Sequence, residues 1–395
     1  MTPKSAHIAA TATFVFFLGM FLVDIGTVRS FHNGGVMECN GCHSMHNANE
    51  WGPLLLASDP SSVCLNCHSG TGGANSPSVF SADGSAMTPG GDFYWLNKTF
   101  TWSGGESRGE SHGHNVVALD FGLTRDSRHV ESPGGNYPSE NLSCISCHDP
   151  HGKKGGGTRL GALPVTVSGS YGEPAEGGGV TGNYRLLGDS RYEGGSAVVG
   201  YQFSYDAPVA RQNILKRFGE SDGSHVDYGA GMSEWCGNCH GAILQDSHLG
   251  AGSFVHPAGS NAMLSSQTVS MYNTYINTGD LLANGTGTGD AATAYLQFVP
   301  FERGTGDSQL LDPASTQGPD TNSTVMCLTC HRAHGSAFRS AGRWDFDAVL
   351  LAESHPGPGD GGVSGNDVLY SYYNRDISIE FGPGQGQFCE KCHGA

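Results

Sequence analysis

Cys144-Ile-Ser-Cys147-His148-Asp149-Pro150-His151 holds the pattern on which the whole chain turns. The same C-x-x-C-H unit stands at Cys39-Asn-Gly-Cys42-His43, Cys64-Leu-Asn-Cys67-His68, Cys236-Gly-Asn-Cys239-His240, Cys327-Leu-Thr-Cys330-His331 and Cys389-Glu-Lys-Cys392-His393, and together the six use all 12 cysteines. Histidine is 18 of 395 residues, so it follows a given pair by chance about one time in twenty; six in succession is on the order of one in 10⁷ to 10⁸. C-x-x-C-H is the attachment signature of c-type haem. Two thiols at this spacing can each add to one vinyl group of the porphyrin, and the adjacent imidazole then faces the iron from the same side. A disulfide framework or a zinc site gives no reason for the trailing histidine, and a thioredoxin-like site needs one C-x-x-C on a βαβ unit. The 12 cysteines therefore read as thioether anchors of six covalent haems, with His43, His68, His148, His240, His331 and His393 as proximal iron ligands.

Composition agrees. Glycine is 61 of 395 residues, only 14% are charged and 37% are hydrophobic. Such a chain is poor in helix formers and in aliphatic core material, which excludes coiled coils and helical bundles. The expected fold is mostly irregular coil with a few short helices and minimal strand, organised around a stacked chain of haems. Covalent haems act as staples in place of a large core, and no stable fold is expected without them. The net charge of −17 argues against a nucleic-acid partner and fits a solvated acidic surface.

Residues 1–30 read as a secretory signal: Lys4, then an apolar run from Ile8 to Val23, then a polar stretch ending Val28-Arg29-Ser30. The run is short for a membrane span, and haem attachment outside the cytoplasm requires export in any case. One hexahaem domain is expected over 31–395, without a stable membrane span after cleavage. The motifs follow no fixed repeat period. Glycine- and serine-rich connectors such as 152–200 read as loops, helices are expected at Pro208–Phe218, Met263–Ile276 and Trp344–Ser354, and short strands near Val116–Leu119 and Ala197–Phe203.

An open sixth position on iron means catalysis or gas binding, and a filled one means electron transfer. Eleven histidines remain for six irons once the proximal ones and His7 are set aside. His46, His151 and His334 each stand three residues beyond a proximal histidine, too close to turn back on the same haem but placed to reach a neighbour. His256 precedes Pro257 in an extended context. His32 follows the cleavage point directly. His112 and His114 compete within Ser-His-Gly-His, and position does not decide between them. His129, His225, His248 and His355 lie in polar sequence and read as solvated surface. Methionine is the rival ligand, but Met45 and Met326 are too close to their own motifs, and the others read as gap fillers. Low-potential bis-histidine haems and no catalytic residues are expected.

Several stretches are shared with a known family: Phe31–Val36, Cys39–Asn47, Met87-Thr88-Pro89-Gly90-Gly91-Asp92-Phe93, Pro133–Lys153, Gly231-Met232-Ser233-Glu234-Trp235-Cys236, His256-Pro257-Ala258-Gly259 and Cys327–His334. In these the chain resembles the hexahaem outer-surface c-type cytochromes of metal-reducing bacteria that polymerise into extracellular conductive filaments. The resemblance implies His32, His46, His114, His151, His256 and His334 as distal ligands. It also implies that His46 ligates an iron of the adjacent subunit, at the haem held by Cys327 and Cys330. The implied function is long-range electron transfer to extracellular acceptors such as metal oxides or other cytochromes. A monomeric periplasmic electron carrier is the alternative.

Overall fold

The computed structural model describes residues 39–44, 54–72, 76–150, 184–190, 192–193, 201–212, 219–244, 255–275 and 289–394. The signal segment, His32, His46, His151 and His248 lie outside the described residues.

No helix exceeds nine residues among those described. Each C-x-x-C-H motif coincides with a turn of helix, because i, i+3 and i+4 share one face of a helix. Helix α1, Pro60–His68, carries Cys64, Cys67 and His68 in its last turns. Asp59 caps it by accepting from the Ser62 N–H at 2.8 Å, and Pro60 occupies the first turn, where a missing N–H costs nothing. The other motifs are single turns. In four of them the backbone N–H of the motif histidine donates to the carbonyl of the first cysteine: His148 to Cys144, His240 to Cys236, His331 to Cys327 and His393 to Cys389, at 2.9–3.1 Å.

Among the described residues, strand content is two small antiparallel pairs. β1 (Phe100–Trp102) pairs antiparallel with β2 (Gly105–Ser107), and β3 (Val209–Gln212) with β4 (Val226–Ala230). β3 corrects the helix expected from Pro208: Val209 to Gln212 find ladder partners on the buried strand β4, and tertiary pairing overrides a weak local helix signal. Residues 213–218 lie outside the described set. Val116–Leu119 is not a strand either. Ala118 bridges Leu123 around a tight turn at Leu119–Phe121. Of Ala197–Phe203, residues 201–203 are described and form no strand. The helix expected over Trp344–Ser354 shrinks to one turn at Leu351–Glu353, because the Asp345 carboxylate captures the Asp347 and His355 N–H groups in loop geometry. The helix expected over Met263–Ile276 is present as Ser266–Thr274, started by Ser265 accepting from the Thr268 N–H at 3.1 Å.

The interior is aromatic. Trp95, Phe100, Tyr272, Phe298, Trp344 and Phe388 lie within one buried cluster, and the Phe298 and Phe388 rings stack at 5.1 Å. Full burial of such a side chain contributes roughly 1.5–3 kcal/mol. Through this cluster runs a buried ionic group: Glu220 Oε2 accepts from Arg332 Nη1 at 3.0 Å and from Arg343 Nη1 at 2.9 Å. Burial pushes the Glu220 carboxyl up, but the two guanidiniums outweigh it and hold it below the usual range.

Glu302 links two haem-attachment segments. It accepts from the Met232 N–H at 2.6 Å, ahead of Cys236, and from Thr324 Oγ1 at 3.0 Å, ahead of Cys327. Burial raises its carboxyl from 4.5 to about 7. The folded state therefore binds the proton more tightly than the unfolded chain, so this group's contribution to stability is greatest in acid and falls as pH rises from 4.5 to about 7. Glu302→Gln should remove a slope of at most about 1.4 kcal/mol per pH unit in that window. Melting curves of wild type and variant between pH 4 and 8 check it; parallel pH profiles would contradict it.

Candidate haem centres

Three pairs of imidazoles face one another: His148 with His334 at 6.3 Å between ring centroids, His114 with His240 at 6.1 Å, and His256 with His393 at 5.9 Å. Each pair joins one motif histidine to one expected distal histidine. A metal–imidazole bond is about 2 Å, and roughly another 1 Å separates the bonding nitrogen from its ring centre, so two rings sharing one iron stand about 6 Å apart. The spacing of all three pairs fits a bis-histidine haem.

The second ring nitrogen tests the assignment further. Nδ1 lies against a backbone carbonyl in six of the expected ligands. The partners are Pro77 for His68 at 2.8 Å, Arg185 for His148 at 2.9 Å, Pro133 for His240 at 2.7 Å, Ser340 for His331 at 2.8 Å, Ala333 for His114 at 2.6 Å and Pro257 for His256 at 2.8 Å. A carbonyl only accepts, so Nδ1 carries the hydrogen and Nε2 keeps its lone pair for a metal. His112 differs: Nδ1 meets the Trp95 carbonyl at 2.9 Å and Nε2 meets Ser107 Oγ at 2.7 Å. Both of its nitrogens are engaged inside the protein, and burial lowers it to about 4. Of the pair that the sequence leaves open, His114 faces a motif imidazole and His112 is held by two hydrogen bonds.

The thiols connect the motifs in chain order. The Cys64 thiol hydrogen-bonds to Cys144, and the Cys236 thiol to Cys327, which pulls Cys327 down to about 7. Cys42 lies within electrostatic reach of Cys64, Cys147 of Cys239, and Cys330 of both Cys389 and Cys392. Burial pushes Cys239 and Cys392 up to about 11 and Cys330 up to about 12. Among the described residues no three His, Cys, Asp or Glu side chains converge on one point. Cys67 is half-buried at the end of α1, and of Cys39 only the backbone is described. His43 pairs its backbone with Leu55.

Close backbone approach places His334. Its N–H donates to the Gly90 carbonyl at 2.6 Å, its carbonyl accepts from the His114 N–H at 3.0 Å, and its ring stacks on Phe93 at 4.9 Å. Gly91, at φ +95°, would put a Cβ 1.9 Å from the Gly335 carbonyl oxygen, and a Cβ on Gly113 would lie 2.2 Å from the His334 carbonyl oxygen. Burial drives the His334 ring down to about 3. The sequence reading includes Gly90 and Gly91 within Met87–Phe93 but assigns them no role, and it does not find the carbonyl partners. Of the histidines read as surface, His225 is buried and His355 is half-buried. His225 is 4% exposed. His355 stacks flat on Trp102 at 3.9 Å and bonds Asp360 at 2.7 Å. In both cases aromatic neighbours distant in sequence decide burial. His129 is exposed as expected and pairs with Asp126.

Comparisons with known proteins agree with this geometry. A family model described as a doubled CXXCH motif matches residues 32–73. The C-type cytochrome OmcS of Geobacter sulfurreducens is 38% identical over 92% of this chain and 94% of its own length. The solved outer membrane cytochrome S filament of that organism superposes with a TM-score of 0.73 at 36% identity, covering 92% of this chain and all of the other. A cryo-EM structure of the OmcS nanowires gives 0.72 at 34% identity.

Gly91→Ala should displace His334. The left-handed backbone alone costs about 1–2 kcal/mol with a side chain present, and the clash with Gly335 adds to it. The expected readout is a high-spin signal from about one iron in six in the EPR spectrum. A fully low-spin spectrum would show that the ring's position does not depend on this contact.

Proposed function

Because this chain belongs to the family of the C-type cytochrome OmcS, we propose that it is the hexahaem subunit of an extracellular filament that carries electrons over long distances. The three facing imidazole pairs, set in a line of motifs that touch in chain order, carry this reading. Haem c, when bound, supplies the one-electron iron couple. The protein's part is to hold and position. The 12 cysteines would anchor the porphyrins through thioethers, each motif histidine would hold one iron, and His114, His256 and His334 would be second ligands to the irons of His240, His393 and His148. His43, His68 and His331 then remain for His32, His46 and His151. We assign His46 to the His331 centre of the next subunit, a heterologous head-to-tail bond that propagates into a filament if its rotation does not close.

Filling both axial positions with imidazole leaves no site for substrate, so the chain acts as an electron carrier rather than a classical enzyme. At His68, His114, His148, His240, His256 and His331 the Nδ1–carbonyl bond would raise the basicity of the ligand, which favours ferric iron and low potentials. One unit spans residues 31–395 after removal of the leader, and among the described residues no helix is long and apolar enough to cross a membrane. Terminal acceptors on this reading are extracellular oxidants such as metal oxides or other cytochromes.

Two experiments test the assignment. His114→Ala should leave one five-coordinate iron that binds carbon monoxide, whereas His112→Ala should keep six low-spin irons and lose about 1–3 kcal/mol of stability from its buried hydrogen bonds. The opposite pattern in visible spectra would reverse the choice. His46→Ala should yield subunits that do not polymerise and whose His331 centre lacks a ligand. Intact filaments of that variant with six low-spin irons, seen by electron microscopy and EPR, would refute the junction.

A further inference from the structure

His225 is a histidine the haem centres do not use. Its ring lies flat on Tyr295, 3.7 Å between centroids and 15° between planes. Nδ1 faces the Asp222 carbonyl at 3.2 Å, so it carries the hydrogen and leaves Nε2 bare. Nε2 is buried and has no hydrogen-bond partner among the described residues. It belongs to the wall of a cavity of about 10 Å³ lined also by Pro89, Arg185, Gln212 and Ser224, room for one water. Two more residues lining the cavity, Ser224 and Arg185, each carry a buried atom without a partner among the described residues, Oγ and Nε.

Two of those walls lead to a single haem centre. The Arg185 carbonyl holds the His148 ring at 2.9 Å. Pro89 adjoins Gly90, whose carbonyl holds the His334 backbone at 2.6 Å. His148 and His334 are the imidazoles paired at 6.3 Å. The charges around His225 oppose one another, and burial leaves its imidazole below the usual histidine range. Burial disfavours its cation and so does Arg303, while Asp227, Glu220 and the Asp222 carbonyl favour it. Arg185 adds a positive charge across the cavity, Tyr295 is held neutral by burial, and Glu220 is already shared between Arg332 and Arg343. A unit of charge gained at the centre held by His148 and His334, which Arg185 and Gly90 connect to this cavity, would act on this set of charges.

Building on the bis-histidine reading above, we infer that His225 is a redox-linked proton acceptor, so that electron occupancy of the His148–His334 centre is coupled to proton uptake. Ferric iron gains one electron from a neighbouring haem. An N–H bond forms at His225 Nε2 with a proton drawn from solvent water through the cavity. Oxidation by the next haem in line breaks that bond and returns the proton. Imidazole is more easily protonated beside the reduced centre, so the midpoint potential of this centre falls as pH rises between the two protonation midpoints.

The test is a potentiometric titration of the purified holoprotein, followed in the visible band and by EPR from pH 4.5 to 8. In wild type, one component, about one sixth of the amplitude, shifts to lower potential with pH. In His225→Gln that component loses its pH dependence. In His225→Arg it lies higher at every pH and is also flat. An unchanged slope in His225→Gln would place the proton elsewhere, on a haem propionate, and overturn the inference; so would a wild type without any slope. Reduced-minus-oxidised infrared spectra of ¹⁵N-histidine-labelled wild type give a readout that needs no variant, and absence of an imidazolium band on reduction counts against the proposal. A high-spin iron in wild type would instead overturn the ligand assignment on which the proposal rests.

Discussion

A neutral imidazole whose Nδ1–H is given to a backbone carbonyl is the interaction on which the rest of this structure depends. It fixes the tautomer, aims Nε2 and sets the rotation of the ring, all before a metal is considered. The partners at Pro77, Pro133, Arg185, Ala333 and Ser340 come from loops. That explains why a chain with so little regular structure nonetheless holds its coils in place. The loops are the second layer of the ligand set. His112 shows the opposite use of the same side chain: with both nitrogens satisfied by Trp95 and Ser107, it is a polar strut in an aromatic core.

Glycine serves this arrangement through proximity rather than looseness. Gly91 against Gly335, Gly113 against the His334 carbonyl and Gly135 against the Cys239 carbonyl are backbone contacts where any Cβ would collide. They let strands of coil cross at the distance that puts two imidazoles about 6 Å apart. The aromatic cluster around Phe298 and Trp344 fills what remains, and the Glu220–Arg332–Arg343 group pins the segment that follows Cys330 into it. A buried ion pair of this sort is a weak source of net stability and a good source of register, because misplacing any member strands a charge.

The sequence made the motifs and the surplus of histidine plain, because six C-x-x-C-H units use every cysteine and leave eleven histidines over. It also made the helix at Ser266–Thr274 readable, since Ser265 is a strong cap. What it did not disclose was decided by partners far along the chain. Val209–Gln212 became a strand because Val226–Ala230 was there to pair with it. The choice of His114 over His112 rests on Trp95, Ser107 and Ala333. His225 is buried because Tyr295 covers it, though its sequence neighbours Ser224 and Asp227 suggested water. Residue type announces which chemistry is possible, and long-range contact selects where it happens.

The line of motifs runs in space as it runs in sequence, yet the facing imidazoles do not respect that order. His114 precedes its partner His240, and His256 precedes His393, but His148 waits for His334, far downstream. A polypeptide emerging amino-terminus first can thus dock each porphyrin beside the preceding one with only short-range searching, while the third centre stays open on one side until almost the entire molecule has been threaded. Biogenesis then has two clocks, one for covalent loading and one for ligand closure. At that centre ligand closure would wait for residue 334, long after its own anchoring motif has emerged.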